Sequence, residues 1–166
     1  MNRPPEEFKR ITAKDLKTFG TACLKAAGMP NEQAEQLAGL LTNSDLRGVR
    51  SHGTRALYGY CRTIRDKKAN ANPAVQVLAE TDTHVYVDGD GGLGYAPTML
   101  ATEKAIVKAK EKGIAVGATC HIGHYGSAGH YVRRAMEEDC TAFSVQAAFP
   151  QYYTSNQDTR AAHYGN

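Results

Sequence analysis

The feature that most constrains this chain is a change of hydrophobic period near residues 67–73. Before it, apolar residues recur every three to four positions; after it, short β-branched runs alternate with helical stretches. Thr12-Ala13-Lys14-Asp15 resembles a capping box. With Leu16, Phe19, Cys23, Leu24 and Ala27 at helical spacing, it predicts a capped amphipathic helix ending at Gly28. Ala34, Leu37, Leu40 and Leu41 predict a second helix from Asn31 to about Leu46, and a third is expected over Thr54 to Asp66. Beyond the polar linker Lys67 to Pro73, Val75 to Val77 and His84 to Val87 read as a hairpin turning at Glu80 to Thr83. A helix over Ala96 to Lys112 should stop at Gly113, followed by a strand over Ile114 to Ala118, a helix over His124 to Glu138 and a strand over Thr141 to Ala147. This alternation predicts an α/β fold, with a helical region over 1–70 and a partial α/β, cofactor-binding domain over 71–166. Phe149 to Asn166 carries no period, and the chain reads as interrupted there.

Composition excludes several classes of function. The 166 residues are 42% hydrophobic and 22% charged, enough apolar content for a packed core. The formal charge of +3 comes from 20 basic and 17 acidic residues scattered along the chain. That leaves no basic track for nucleic acid but remains compatible with small anions. Cys23, Cys61, Cys120 and Cys140 are far apart, with no C-x-x-C pair, and are expected to be reduced, mostly buried thiols. Met1 to Arg10 lacks the apolar core of a secretory signal, and no stretch is apolar for long enough to cross a bilayer. The expected compartment is the cytoplasm, without membrane partners.

Three segments concentrate chemistry. In Asp45-Leu46-Arg47-Gly48-Val49-Arg50-Ser51-His52-Gly53, guanidinium groups, a hydroxyl and an imidazole crowd a helix junction. A 2-oxo acid needs such groups: arginine to hold a carboxylate in two parallel hydrogen bonds, and imidazole to move a proton near neutral pH. Ser51 would orient His52 or the substrate; equally, Ser51 could cap a helix and leave His52 and the arginines solvated. The second segment, His121 to His130, follows a predicted strand, where ligands of α/β sheets gather. His121 and His124 stand three apart with no acidic partner or further ligand nearby in sequence, so no metal is expected. Gly89-Asp90-Gly91-Gly92-Leu93-Gly94 matches the dinucleotide pattern G-x-G-x-x-G, but no acidic residue follows the next strand to hold a ribose, and Asp88 and Asp90 would oppose a pyrophosphate. A turn that permits close packing is the better reading.

The string from Asp45 to Gly53, with Tyr60 after it, closely resembles the D-L-R-G-x-x-S-H-G segment of the malate/L-lactate dehydrogenase family that lacks a Rossmann domain. Asp88 to Gly94 and His124-Tyr125-Gly126-Ser127-Ala128-Gly129 resemble that family's D-G-x-x-G-x-G and N-H-F-G-x-A-G motifs, in the same order. The resemblance runs from about Lys9 to Gln146. It implies an α/β fold particular to the family, a homodimer, and an oxidoreductase that uses NAD or NADP on malate, lactate, sulfolactate, ureidoglycolate or a cyclic imine carboxylate. Ser51, His52 and His124 are then the catalytic residues. Arg47, Arg50, Arg55 and Tyr60 would meet the substrate, and His124, Tyr125, Gly126, Ser127 and Ala128 would lie beside the nicotinamide. The sequence departs from the family at Ala56, where an arginine is common and here falls at Arg55; at Gly123, where asparagine is common; and over Gln151 to Arg160. It also stops at Gly165-Asn166, short of family chains. The alternative to an enzyme is therefore a truncated, inactive binding or dimerisation module on the same scaffold. A metal-dependent hydrolase would rest on the histidines alone.

Overall fold

The computed structural model describes residue 7 and residues 9–146. Helix α1 (Ala13–Ala26) begins at Thr12, whose hydroxyl accepts the Asp15 N–H at 3.1 Å, and α2 (Asn31–Leu46) follows after Pro30. The two helices pack closely where α1 carries Gly20: a β-carbon there would stand 3.3 Å from that of Ala38. Leu24 and Leu41 are fully buried in this contact, each worth about 1.5–3 kcal/mol of removed apolar surface. The predicted third helix is broken at its start. Two single turns of 3-10 helix, Arg50–His52 and Thr54–Ala56, precede α3 (Leu57–Arg65).

Strands β1 (Gln76–Glu80) and β2 (His84–Asp88) form the expected antiparallel hairpin, with β1 running three residues and β2 one residue further than expected and a bulge between Val77 and Ala79. Helix α4 (Tyr95–Lys112) stops at Gly113, whose φ of 84° few side chains tolerate, and the chain returns as β3 (Val116–Cys120), parallel to β2. The sheet order is β1-β2-β3. Val85 and Val87 point toward α4 and pack with Ala101. Gly117 lies opposite Val85, and a β-carbon there would come within 2.7 Å of the Ala101 carbonyl, so α4 lies directly on β3. Residues opposite one another in register share a face, so His84, Tyr86 and Asp88 on β2 and Val116, Ala118 and Cys120 on β3 project from the side away from α4. A larger core joins the N-terminal helices to the second half of the chain: Leu24, Leu37, Leu41, Leu57, Tyr60 and Ile64 form one cluster with Leu93 and Tyr95.

Three expectations need correction. The helix placed from His124 begins only at Gly129 (α5, Gly129–Met136), because the residues before it give their backbone groups to the glycine turn instead. Gly94 N–H donates to the His124 carbonyl at 3.1 Å, and Gly123 N–H to that of Gly92 at 2.8 Å. Thr141 to Gln146 is not a strand: no described strand pairs with it, and Phe143 is 91% exposed; Ala147 and the tail from Phe149 lie outside the described residues. The four cysteines are free, but each is half-buried rather than buried.

Candidate active site

The turn after α2 is held by one carboxylate. Asp45 Oδ2 accepts the Thr54 N–H at 2.9 Å and its hydroxyl at 2.5 Å, which bends the chain back on itself and presents Ser51 and His52 at the bend. Ser51 Oγ lies 2.9 Å from His52 Nδ1. The His52 ring in turn stacks on that of His124, with centroids 5.7 Å apart and planes inclined by 24°.

His124 reaches this position through the glycine turn. A β-carbon at Gly94 would come within 2.7 Å of Tyr125 Cβ and 2.8 Å of the Gly123 carbonyl, and one at Gly92 within 2.6 Å of Pro73. These glycines let two backbone segments touch, as the packing interpretation of G-x-G-x-x-G expects. On the helical side, the buried Tyr60 of α3 places its hydroxyl 2.6 Å from His124 Nδ1 and 3.0 Å from the hydroxyl of Tyr95, the first residue of α4. Burial raises the Tyr60 pKa, partly offset by the Tyr95 hydrogen bond, and burial raises Tyr95 further. Both remain neutral phenols throughout the ordinary pH range. The two hydroxyls and the imidazole form a continuous chain from the core to the surface.

A second contact joins the same elements. Buried His130 of α5 lies with Nε2 3.2 Å from Ser44 Oγ of α2. Burial, then the positive charges of Arg133, His52 and Arg47, push its pKa down to about 4. Arg133 is itself lowered by burial and by Arg47, so these two guanidinium groups and two imidazoles share one positive region. Among the described residues, Arg47, Arg50, Arg55 and Arg133 make no ion pair. Arg50 and Arg55 occupy the two 3-10 turns, one on each side of Gly53.

The structure thus brings Ser51, His52, Tyr60 and His124 together, with Arg47 on the side of His130. Tyr125 turns inward, its ring stacked on Tyr131 at 5.2 Å, and the buried Gly126 lies against the Tyr95 ring. Ser127 and Ala128 lead into α5. Sequence reasoning missed Tyr95, Ser44 and Arg133, and gave His130 no role. Tyr95 had one usable signal, its place directly after the glycine turn at the start of α4. The buried Tyr125 hydroxyl has no hydrogen-bond partner among the described residues, a polar atom left unsatisfied on the segment expected to face a cofactor. The expectation that His121 lacks an acidic partner fails: its Nδ1 lies 3.2 Å from both carboxylate oxygens of Asp88, 33 residues away on β2.

Fold and geometry together define an α/β protein in which a helical layer and a sheet-borne loop meet at a pair of histidines. The chain belongs to the malate/L-lactate dehydrogenase family, whose model matches residues 11–161. It is 34% identical over 145 residues to a malate dehydrogenase of Pyrococcus horikoshii, covering 87% of this chain and 40% of that protein. It is 32% identical to an L-sulfolactate dehydrogenase of Methanocaldococcus jannaschii, covering 88% and 40%. The solved structure of the Pyrococcus horikoshii malate dehydrogenase superposes with a TM-score of 0.75 at 36% identity, over 81% of this chain and 38% of that one. The chain spans about 40% of the length of the curated relatives it matches.

Proposed function

We propose that this chain carries the proton-transfer side of a dehydrogenase acting on a small 2-hydroxy or 2-oxo acid of the malate or lactate type, with NAD or NADP as cofactor. The observation that carries this reading is the His52–His124 pair, with Tyr60 bound to His124 Nδ1 at 2.6 Å. A nicotinamide supplies or accepts the hydride; the residues of this chain handle the proton and the carboxylate. Tyr60 accepts the His124 Nδ1–H and donates its own hydroxyl to Tyr95, which keeps one ring proton on Nδ1 and leaves Nε2 to face the substrate. On reduction, doubly protonated His124 gives its Nε2 proton to the 2-oxygen of an oxo acid and is left neutral with its proton on Nδ1; on oxidation the Nε2 lone pair takes the proton of the 2-hydroxyl. Ser51 fixes the tautomer and tilt of His52 in the same way. Arg47 and Arg133 supply positive charge for the substrate carboxylate, while Arg50, Arg55 and the loop Tyr125 to Ala128 line the approach.

The family relatives named as dehydrogenases of malate and sulfolactate support this reading, as does an unsatisfied Tyr125 hydroxyl on the loop beside His124. Ser51 and His124 are exposed, which also supports a second reading: a module that binds a nucleotide or a second copy without turnover. Nicotinamide absorbance over a panel of 2-oxo acids tests both, using wild type, His52→Asn and His124→Asn. Turnover lost in both variants is the expected result. Turnover indifferent to both overturns the mechanism, and NADH or NADPH binding without turnover favours the module.

A further inference from the structure

We propose that Asp88, Cys120 and His121 form a binding site for a divalent cation of the zinc type. Asp88 and Cys120 are register partners at the ends of parallel strands β2 and β3, so their side chains emerge side by side on the sheet face away from α4. His121 is the next residue. Its φ of 48° turns the chain sharply, and two backbone hydrogen bonds hold the turn: Gly89 N–H to the Cys120 carbonyl at 3.0 Å, and Gly91 N–H to the His121 carbonyl at 2.8 Å. The imidazole is thereby folded over Asp88, with Nδ1 3.2 Å from each carboxylate oxygen.

One donor atom from each of the three residues lies within 4.8 Å of the others. Donors around a tetrahedral zinc at 2.0–2.3 Å stand roughly 3.3–3.8 Å apart, so closing on a cation requires side-chain adjustments of about an ångström. A thiolate, an imidazole and a carboxylate suit zinc or cobalt and disfavour magnesium and calcium, which take oxygen donors. The carboxylate is already oriented, because Asp88 Oδ1 accepts the Asp90 N–H at 2.8 Å, and Asp90 is itself held by Asn70 and the Ala74 N–H at 2.9 Å each. The Tyr86 hydroxyl, two residues earlier on the same face, meets the Cys120 sulfur. Three protein donors leave a fourth position for water or a small ligand. His121 also opens the loop that carries His124, so a bound cation ties the end of β2 to that loop.

Cobalt(II) titration of the reduced 166-residue chain tests the site, because a cobalt–thiolate bond gives a near-ultraviolet charge-transfer band that reports the sulfur ligand directly. The expected result is one cobalt per chain, displaced by zinc, with the band abolished by Cys120→Ser. Binding should weaken about 10- to 100-fold in His121→Ala and Asp88→Asn and stay unchanged in Cys140→Ser. His121 is exposed, so its alanine variant retains the fold, which far-ultraviolet circular dichroism checks. A band that survives in Cys120→Ser, affinity unaltered in His121→Ala, or the absence of any cobalt–thiolate band overturns the proposal and leaves His121–Asp88 as a plain ion pair.

Discussion

The hydroxyl of Tyr60 lies 2.6 Å from Nδ1 of His124, a contact between residues 64 apart in sequence, on α3 and on the loop after β3. Removing that hydroxyl takes away the acceptor that keeps the ring proton on Nδ1. Tyr60→Phe should therefore shift neutral His124 from its Nδ1–H toward its Nε2–H tautomer, as read by nitrogen-15 chemical shifts of the ring. Where turnover is measured, kcat should fall on the order of 10- to 100-fold with KM little changed. An unchanged tautomer would remove Tyr60 from the relay.

His130 ties stability to pH. Its pKa is about 4 when folded, against an ordinary 6.5, because burial and the nearby positive groups disfavour its charged form. Between those values the unfolded chain binds the proton and the folded chain does not, so stability rises with pH across that window and is lost as pH falls. The loss should be at most about 3 kcal/mol. Urea melts of wild type and His130→Phe at intervals from pH 7 to 4 check this: the variant should have the shallower profile in that range.

Gly53 and Gly59 should respond oppositely to alanine. A β-carbon at Gly53 would overlap the Asp45 carboxylate that holds the Ser51–His52 turn, whereas one at Gly59, inside α3, meets nothing within 4 Å. Gly53→Ala should cost about 1–3 kcal/mol by denaturant unfolding. Gly59→Ala should gain roughly 0.4–1 kcal/mol by improving the helix and restricting the unfolded chain.

The arginines should separate by ligand-induced thermal stabilisation. Arg47 shares a positive region with Arg133 and His130, while Arg55 sits in its 3-10 turn apart from them. A 2-oxo dicarboxylate that raises the melting temperature of wild type should do so less in Arg47→Ala and Arg133→Ala, and equally in Arg55→Ala. An effect confined to Arg55 would place the carboxylate on the 3-10 turn instead.

Local chemistry made much of this fold legible. Thr12 announced its cap, Gly113 its helix stop, and the β-branched runs their hairpin, because each depends on residues close in sequence. The same local information placed Ser51, His52 and His124 among the candidate groups. It failed where a distant partner decides the conformation. His124 to Ala128 has helical spacing, but its backbone bonds to the glycine turn 30 residues earlier. Thr141 to Gln146 has strand composition without a described neighbour to pair with. Asp88 meets His121, and Ser44 meets His130, only because register and helix packing unite segments that no spacing rule connects.

The Ser44–His130 contact spans 86 residues and the Tyr60–His124 contact 64, so the surroundings of the imidazoles are assembled by closing long loops. Closing such loops costs entropy before any contact compensates, which places these pairings late in folding, after α1 and α2 have associated through neighbouring segments. A partly folded chain would therefore hold its helical layer and sheet hairpin with the two imidazoles still apart, and the arrangement proposed for proton transfer would form only in the last step of folding.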